Sequence, residues 1–201
     1  MRKIILAVFA FVGLVGAARP AHADWVWVNR PYYNPYARPH FYMGAEGQGI
    51  VVLGATGPNA FLDHGGGFDL FLGGRLNRWA ALEFGWQATF HNPEVDAFGR
   101  AVDRVGLQAL TLDAKFYPVH GRVQPYFSGG AGLYLLGDSF SVFAEGAGFQ
   151  VGGGIDFWLS RWASLGLRAQ YRGVDMVDYD TRNDDTYLSL LSFGVDFTGR
   201  F

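Results

Sequence analysis

The chain has 201 residues, half of them hydrophobic and 17% aromatic, with 29 glycines, no cysteine and a formal net charge of -2. The lack of cysteine excludes a disulfide framework and lipid attachment through a thiol, and the lack of basic excess excludes a nucleic-acid surface. Beyond the first residues no apolar run approaches the roughly 20 residues of a helical membrane span, so a membrane role would need a closed barrel of strands.

In chain order, Arg2 and Lys3 precede the apolar run 4–18, and Ala21-His22-Ala23 offers small residues at both positions of a cleavage site. Residues 1–23 therefore read as a secretory signal peptide, with the mature chain starting at Asp24. Residues 24–40, DWVWVNRPYYNPYARPH, hold three prolines and no period, which predicts an extended periplasmic leader.

From Phe41 onward, apolar and polar residues alternate, the period of a strand. Eight strands are predicted, near 41–53, 67–76, 80–90, 105–117, 123–136, 149–159, 163–172 and 187–201. In the last, Leu191, Phe193, Val195, Phe197 and Gly199 fall on one face, and Ser192, Gly194, Asp196, Thr198 and Arg200 on the other. Long connections near 54–66, 91–104, 137–148 and 173–186 alternate with short ones at 77–79, 118–122 and 160–162. Short turns in the periplasm and long loops outside are the asymmetry of outer-membrane barrels. Two short turns echo each other, Asn77-Arg78-Trp79-Ala80-Ala81-Leu82 and Ser160-Arg161-Trp162-Ala163-Ser164-Leu165. Trp79 and Trp162 suit an interfacial girdle, with the neighbouring arginines within reach of lipid or lipopolysaccharide phosphates.

The alternating stretch ending in Phe201 resembles the closing strand of a bacterial outer-membrane β-barrel. Gln124-Pro125-Tyr126-Phe127-Ser128-Gly129-Gly130 and Gly152-Gly153-Gly154-Ile155-Asp156 are similar to glycine-punctuated strands of the small eight-stranded barrels of the OmpA and OmpX type. The resemblance covers nearly all of 41–201. It implies an all-β, eight-stranded antiparallel up-and-down transmembrane barrel in the bacterial outer membrane, in contact with lipid and lipopolysaccharide. It also implies that Phe201 is the signal read by the barrel assembly machinery. No peptidoglycan-binding segment follows the last strand, which argues against a cell-wall tether.

The strand parities place Glu46, Asp69, Arg75, Glu83, Asp113, Lys115, Asp156, Arg168, Arg172 and Asp196 on the inner face. An eight-stranded barrel is just wide enough to be filled by side chains, so this mixed-sign set predicts a salt-bridged plug, with Phe71, Tyr126, Tyr134 and Trp158 adding bulk. The rival is a narrow path for small solutes. A soluble lipocalin-like barrel is the rival fold, and it would turn the apolar face inward.

Enzyme readings are weaker. The His-x-Ser pair that the resemblance would require of a lipid A deacylase does not occur, and a palmitoyltransferase-like set would have to be assembled from His64, His91, Ser139, Ser141 and loop aspartates. Asp178-Tyr179-Asp180 lacks the glycine and distal Glu of a calcium loop. Gly65-Gly66-Gly67 lacks the following Lys-Ser/Thr of a phosphate loop. No cofactor or metal site is predicted, and the expected role is non-enzymatic, in envelope structure or surface-loop interaction.

Overall fold

The strands close on themselves. The computed structural model describes residues 38–56, 62–93, 105–137, 142–178 and 185–201. It holds eight strands, β1 (His40–Thr56), β2 (Leu62–Arg75), β3 (Ala80–Pro93), β4 (Val105–Phe116), β5 (Val123–Gly137), β6 (Val142–Trp158), β7 (Ala163–Asp178) and β8 (Asp185–Arg200). Each pairs antiparallel with the next, and β8 returns to β1 from Tyr42↔Arg200 to Thr56↔Tyr187. Closure satisfies every strand edge, which a sheet surrounded by hydrocarbon requires. The predicted signal peptide, leader up to residue 37 and calcium-like stretch 179–184 lie outside the described residues.

Facing is set by the period of two. Phe41, Phe84, Phe127, Phe193 and Phe197 stand on the outside, Phe127 being 67% exposed, while the charged set lies within. That is the inverse of a soluble barrel and removes the lipocalin-like alternative.

Several boundaries differ from those predicted. β6 begins at Val142 rather than near 149, and β7 runs on to Asp178 rather than ending near 172. Stretches read as loops are therefore paired, as Ala144↔Asp178 and Gly148↔Val174 show. Glycine in this stretch serves strand packing: a Cβ at Gly146 would overlap the Asp175 carbonyl and lie 2.7 Å from the Met176 Cα. Likewise β1 reaches Thr56 and β2 starts at Leu62, leaving only 57–61 between them. Strands of 12 to 17 residues exceed the roughly 9–11 needed to cross a bilayer. Much of the predicted loop asymmetry is thus paired strand hairpin. Leu53 is left unpaired between Val52↔Leu190 and Gly54↔Ser189, a bulge that returns Ala55 to the inner face against the core with Val52.

The lumen is layered. At the end carrying the short turns lie Tyr42, Phe71, Ala81, Tyr117 and Tyr126. The charged side chains follow. At the loop end an apolar layer, including Ile50, Leu107, Leu136, Met176, Leu188 and Leu190, fills the bore.

Candidate functional site

Arg168 organises the charged layer. β7 carries it inward at almost complete burial, and its guanidinium reaches carboxylates from three other strands. Nη2 donates to Glu83 Oε1 of β3 at 2.8 Å, Nε stands 3.1 Å from Glu46 Oε2 of β1, and Nη1 lies 3.7 Å from Asp69 Oδ2 of β2. Only the Glu83 contact is an aligned hydrogen bond to a carboxylate; Glu46 Oε2 accepts none, so that contact is an ion pair alone. Nε donates instead to the Tyr126 hydroxyl at 3.2 Å.

Glu83 is the matching anionic hub. Besides Arg168 it meets Lys115 Nζ at 2.6 Å and accepts from the Tyr42 hydroxyl at 3.1 Å. Lys115 also lies 4.6 Å over the Tyr126 ring. Five of the ten predicted lumen residues, Glu46, Asp69, Glu83, Lys115 and Arg168, therefore form one cross-braced unit. Charges buried this way are retained only when paired, and the guanidinium fork allows one cation to meet three acids.

The other five share none of its ion pairs. Arg75 packs 4.0 Å over the Tyr117 ring and donates to Gln124, while Tyr117 donates to Asp156 at 3.1 Å, all near the short-turn mouth. Arg172 donates to Gln48 at 2.8 Å and to Gln170 at 3.3 Å. Asp113 accepts from Gln150. Asp196 accepts from Thr198 at 3.1 Å. The partners Tyr42, Gln48, Gln124, Gln150 and Gln170 complete the network. Their inward parity was legible, but which of them meet was not. A small cavity of about 10 Å³ at the mouth, lined by His40, Tyr42, Arg75 and Trp158 among others, has room for about one water.

The two histidines of the palmitoyltransferase-like set make contacts between strands. His91 is buried, with Nδ1 donating to the Asp63 carbonyl at 2.7 Å and Nε2 facing Thr89 Oγ1 at 3.1 Å, tying β2 to β3. His64 Nδ1 accepts from the Val52 amide at 3.3 Å. Ser139 and Ser141 lie outside the described residues. Among the described residues no three His, Cys, Asp or Glu side chains gather to hold a metal ion.

Trp79 and Trp162 stand on the outer wall at the short turns, 39% and 58% exposed. Trp79 stacks on Phe116 with ring centroids 6.2 Å apart. Phe201 is exposed too, its amide donating to the Phe41 carbonyl at 3.1 Å.

A closed antiparallel barrel with aromatics outside and paired charges within defines a membrane-spanning β-barrel. The sequence places it further: residues 7–201 match the model of the outer membrane protein beta-barrel domain, and the chain belongs to that family. Among solved structures it is similar to the outer membrane protein OprG from Pseudomonas aeruginosa, at 13% identity and a TM-score of 0.56, covering 83% of this chain and 97% of that one. Neisserial surface protein A is similar at 15% identity and a TM-score of 0.52, covering 80% and 97%. At these identities the likeness is one of fold. No curated protein matches the sequence.

Proposed function

We propose that the chain is a non-enzymatic wall protein of the bacterial outer membrane, exported through a cleaved signal peptide, which stiffens the envelope and displays its loop end outward. The observation that carries this reading is the Arg168 unit, which joins β1, β2, β3 and β7 across the bore while the apolar layer fills the lumen beyond it. A lumen filled in both layers favours a brace over a solute path. Phe201 at the end of β8 suits recognition by assembly machinery from the turn side.

Single-channel recording on the mature chain in planar bilayers tests the brace, and no conductance step is expected. A stable step would replace it with a narrow channel. A mass change in lipid A on overexpression would replace it with an enzyme.

A further inference from the structure

The rim at the short-turn end is rich in arginine. Its described residues include Arg38, Arg75, Arg78, Arg122, Arg161 and Arg200, and among the described residues its three short turns hold no Asp or Glu. The opposite end is acidic: among the described residues of segments 54–66, 91–104, 137–148 and 173–186 stand Asp63, Glu145, Asp175, Asp178 and Asp185, and no Lys or Arg. The molecule is therefore polarised along its axis.

Most rim arginines are engaged within the protein. Arg75 donates to the Asn77 and Arg78 carbonyls, Arg122 donates to the Trp158 and Leu159 carbonyls, and Arg200 lies over Trp158. Arg78 and Arg161 differ. Each guanidinium rests on the tryptophan that follows it, at 4.9 Å from the Trp79 ring and 5.3 Å from the Trp162 ring, and neither meets a carboxylate among the described residues.

The two turns share one construction. Asn77 Oδ1 accepts from the Trp79 and Ala80 amides at 2.7 and 2.9 Å, and Ser160 Oγ accepts from the Trp162 and Ala163 amides, both at 3.1 Å. The Leu76 amide closes onto the Ala80 carbonyl as the Leu159 amide closes onto that of Ala163. One turn joins β2 to β3 and the other β6 to β7, half a barrel apart.

We propose that these two Arg-Trp turns are a pair of equivalent binding sites for the phosphate of an anionic phospholipid of the phosphatidylglycerol class, in the leaflet that meets the turn end. An outward tryptophan sits at headgroup depth. A guanidinium held over its face offers two parallel N–H donors at that depth, the geometry a phosphate accepts. Lipopolysaccharide, also within the reach expected of these arginines, fits less well: it belongs to the leaflet at the loop end, where acidic residues dominate. The proposal rests on the outer-membrane orientation given above.

The test is native mass spectrometry of the mature chain, released from micelles holding equimolar phosphatidylglycerol and phosphatidylcholine. Heat-modifiable gel mobility establishes separately that each sample is a folded barrel. Up to two phosphatidylglycerol adducts are expected, retained about fivefold over phosphatidylcholine, as about one favourable contact per arginine gives. R78Q and R161Q should each leave one adduct and the double variant none. Should the double variant fail to fold, the wild type alone decides: raising the ionic strength of the release buffer tenfold should strip both adducts, because exposed ion pairs are screened. A folded wild type that retains both lipids equally overturns the proposal. So does a double variant that keeps two adducts, salt-insensitive retention, or displacement by lipid A in preference to phosphatidylglycerol. None of these outcomes bears on the brace, which conductance tests.

Discussion

Glu46 and Asp196 stand opposite each other in the β1–β8 ladder that closes the barrel, yet only Glu46 reaches Arg168. Asp196 accepts one bond from Thr198 on Oδ1, and its Oδ2 has no hydrogen-bond partner among the described residues. Like charges facing across a strand pair are destabilising by about 0.2–1 kcal/mol. Asp196→Asn keeps the Thr198 bond and removes the opposition, so its urea midpoint in lipid vesicles should rise slightly. Glu46→Gln removes an ion-pair partner and should lower the stability, and the midpoint with it, by about 1–3 kcal/mol of unfolding free energy. Equal losses in the two variants would mean that the opposition has no energetic weight.

Removing Arg168 tests the brace itself. Arg168→Met leaves Glu46 and Asp69 without the cation they share, and breaking a buried pair from one side costs about 3–5 kcal/mol. Arg168→Lys keeps the charge but cannot span three carboxylates, so its loss should be intermediate. Urea unfolding followed by gel mobility ranks the three proteins; a Met variant as stable as wild type would dismiss the brace.

Inward glycines face the bulky lumen groups. A Cβ at Gly166 would overlap the Asp196 carboxylate, one at Gly194 that of Glu46, and one at Gly130 both the Asp113 carboxylate and the Leu112 carbonyl. A carboxylate can rotate away, but a strand carbonyl cannot. Gly130→Ala should therefore cost about 1–3 kcal/mol through overpacking. Gly49→Ala, on the outer face with nothing within 4 Å, should stay within about 0.5 kcal/mol. The same unfolding assay compares them, and a neutral Gly130→Ala would mean that the neighbouring strand gives way.

Period-two alternation was enough to read the barrel, because lipid outside and a narrow bore inside impose opposite chemistry on successive residues. Phe193, Val195 and Phe197 alternate with Ser192, Asp196 and Thr198 for that reason alone. The upper strands were harder to read. Val174 and Met176 point inward there, and with Gly146 and Gly148 they blur the polar-in signal into something loop-like. The grouping of Glu46, Asp69, Glu83, Lys115 and Arg168 was not legible either. Parity gives the face a residue points to but not its height, and height depends on the stagger between strands far apart in sequence. The echo between the Asn77 and Ser160 turns was visible as letters, and the shared Asn/Ser cap explains it.

His120 gives a pH-dependent reading of the same rim. It lies in the turn after β4, with its ring edge-on to Trp79 at 4.2 Å between centroids. Partial burial, then the positive charges of Arg75 and Arg78, push its pKa below the usual 6.5. The folded state therefore favours the neutral ring, and the unfolded chain takes up the proton first as pH falls. The contribution of this group to stability is complete above about pH 6.5 and declines as pH falls from there through the folded value. Ring NMR of the mature chain in micelles should show His120 titrating below 6.5, and R78Q should move the midpoint upward by removing one of the two neighbouring cations. A midpoint at or above 6.5 would show that burial does not hold the His120 ring neutral, and one indifferent to R78Q that the Arg78 guanidinium does not bear on the ring.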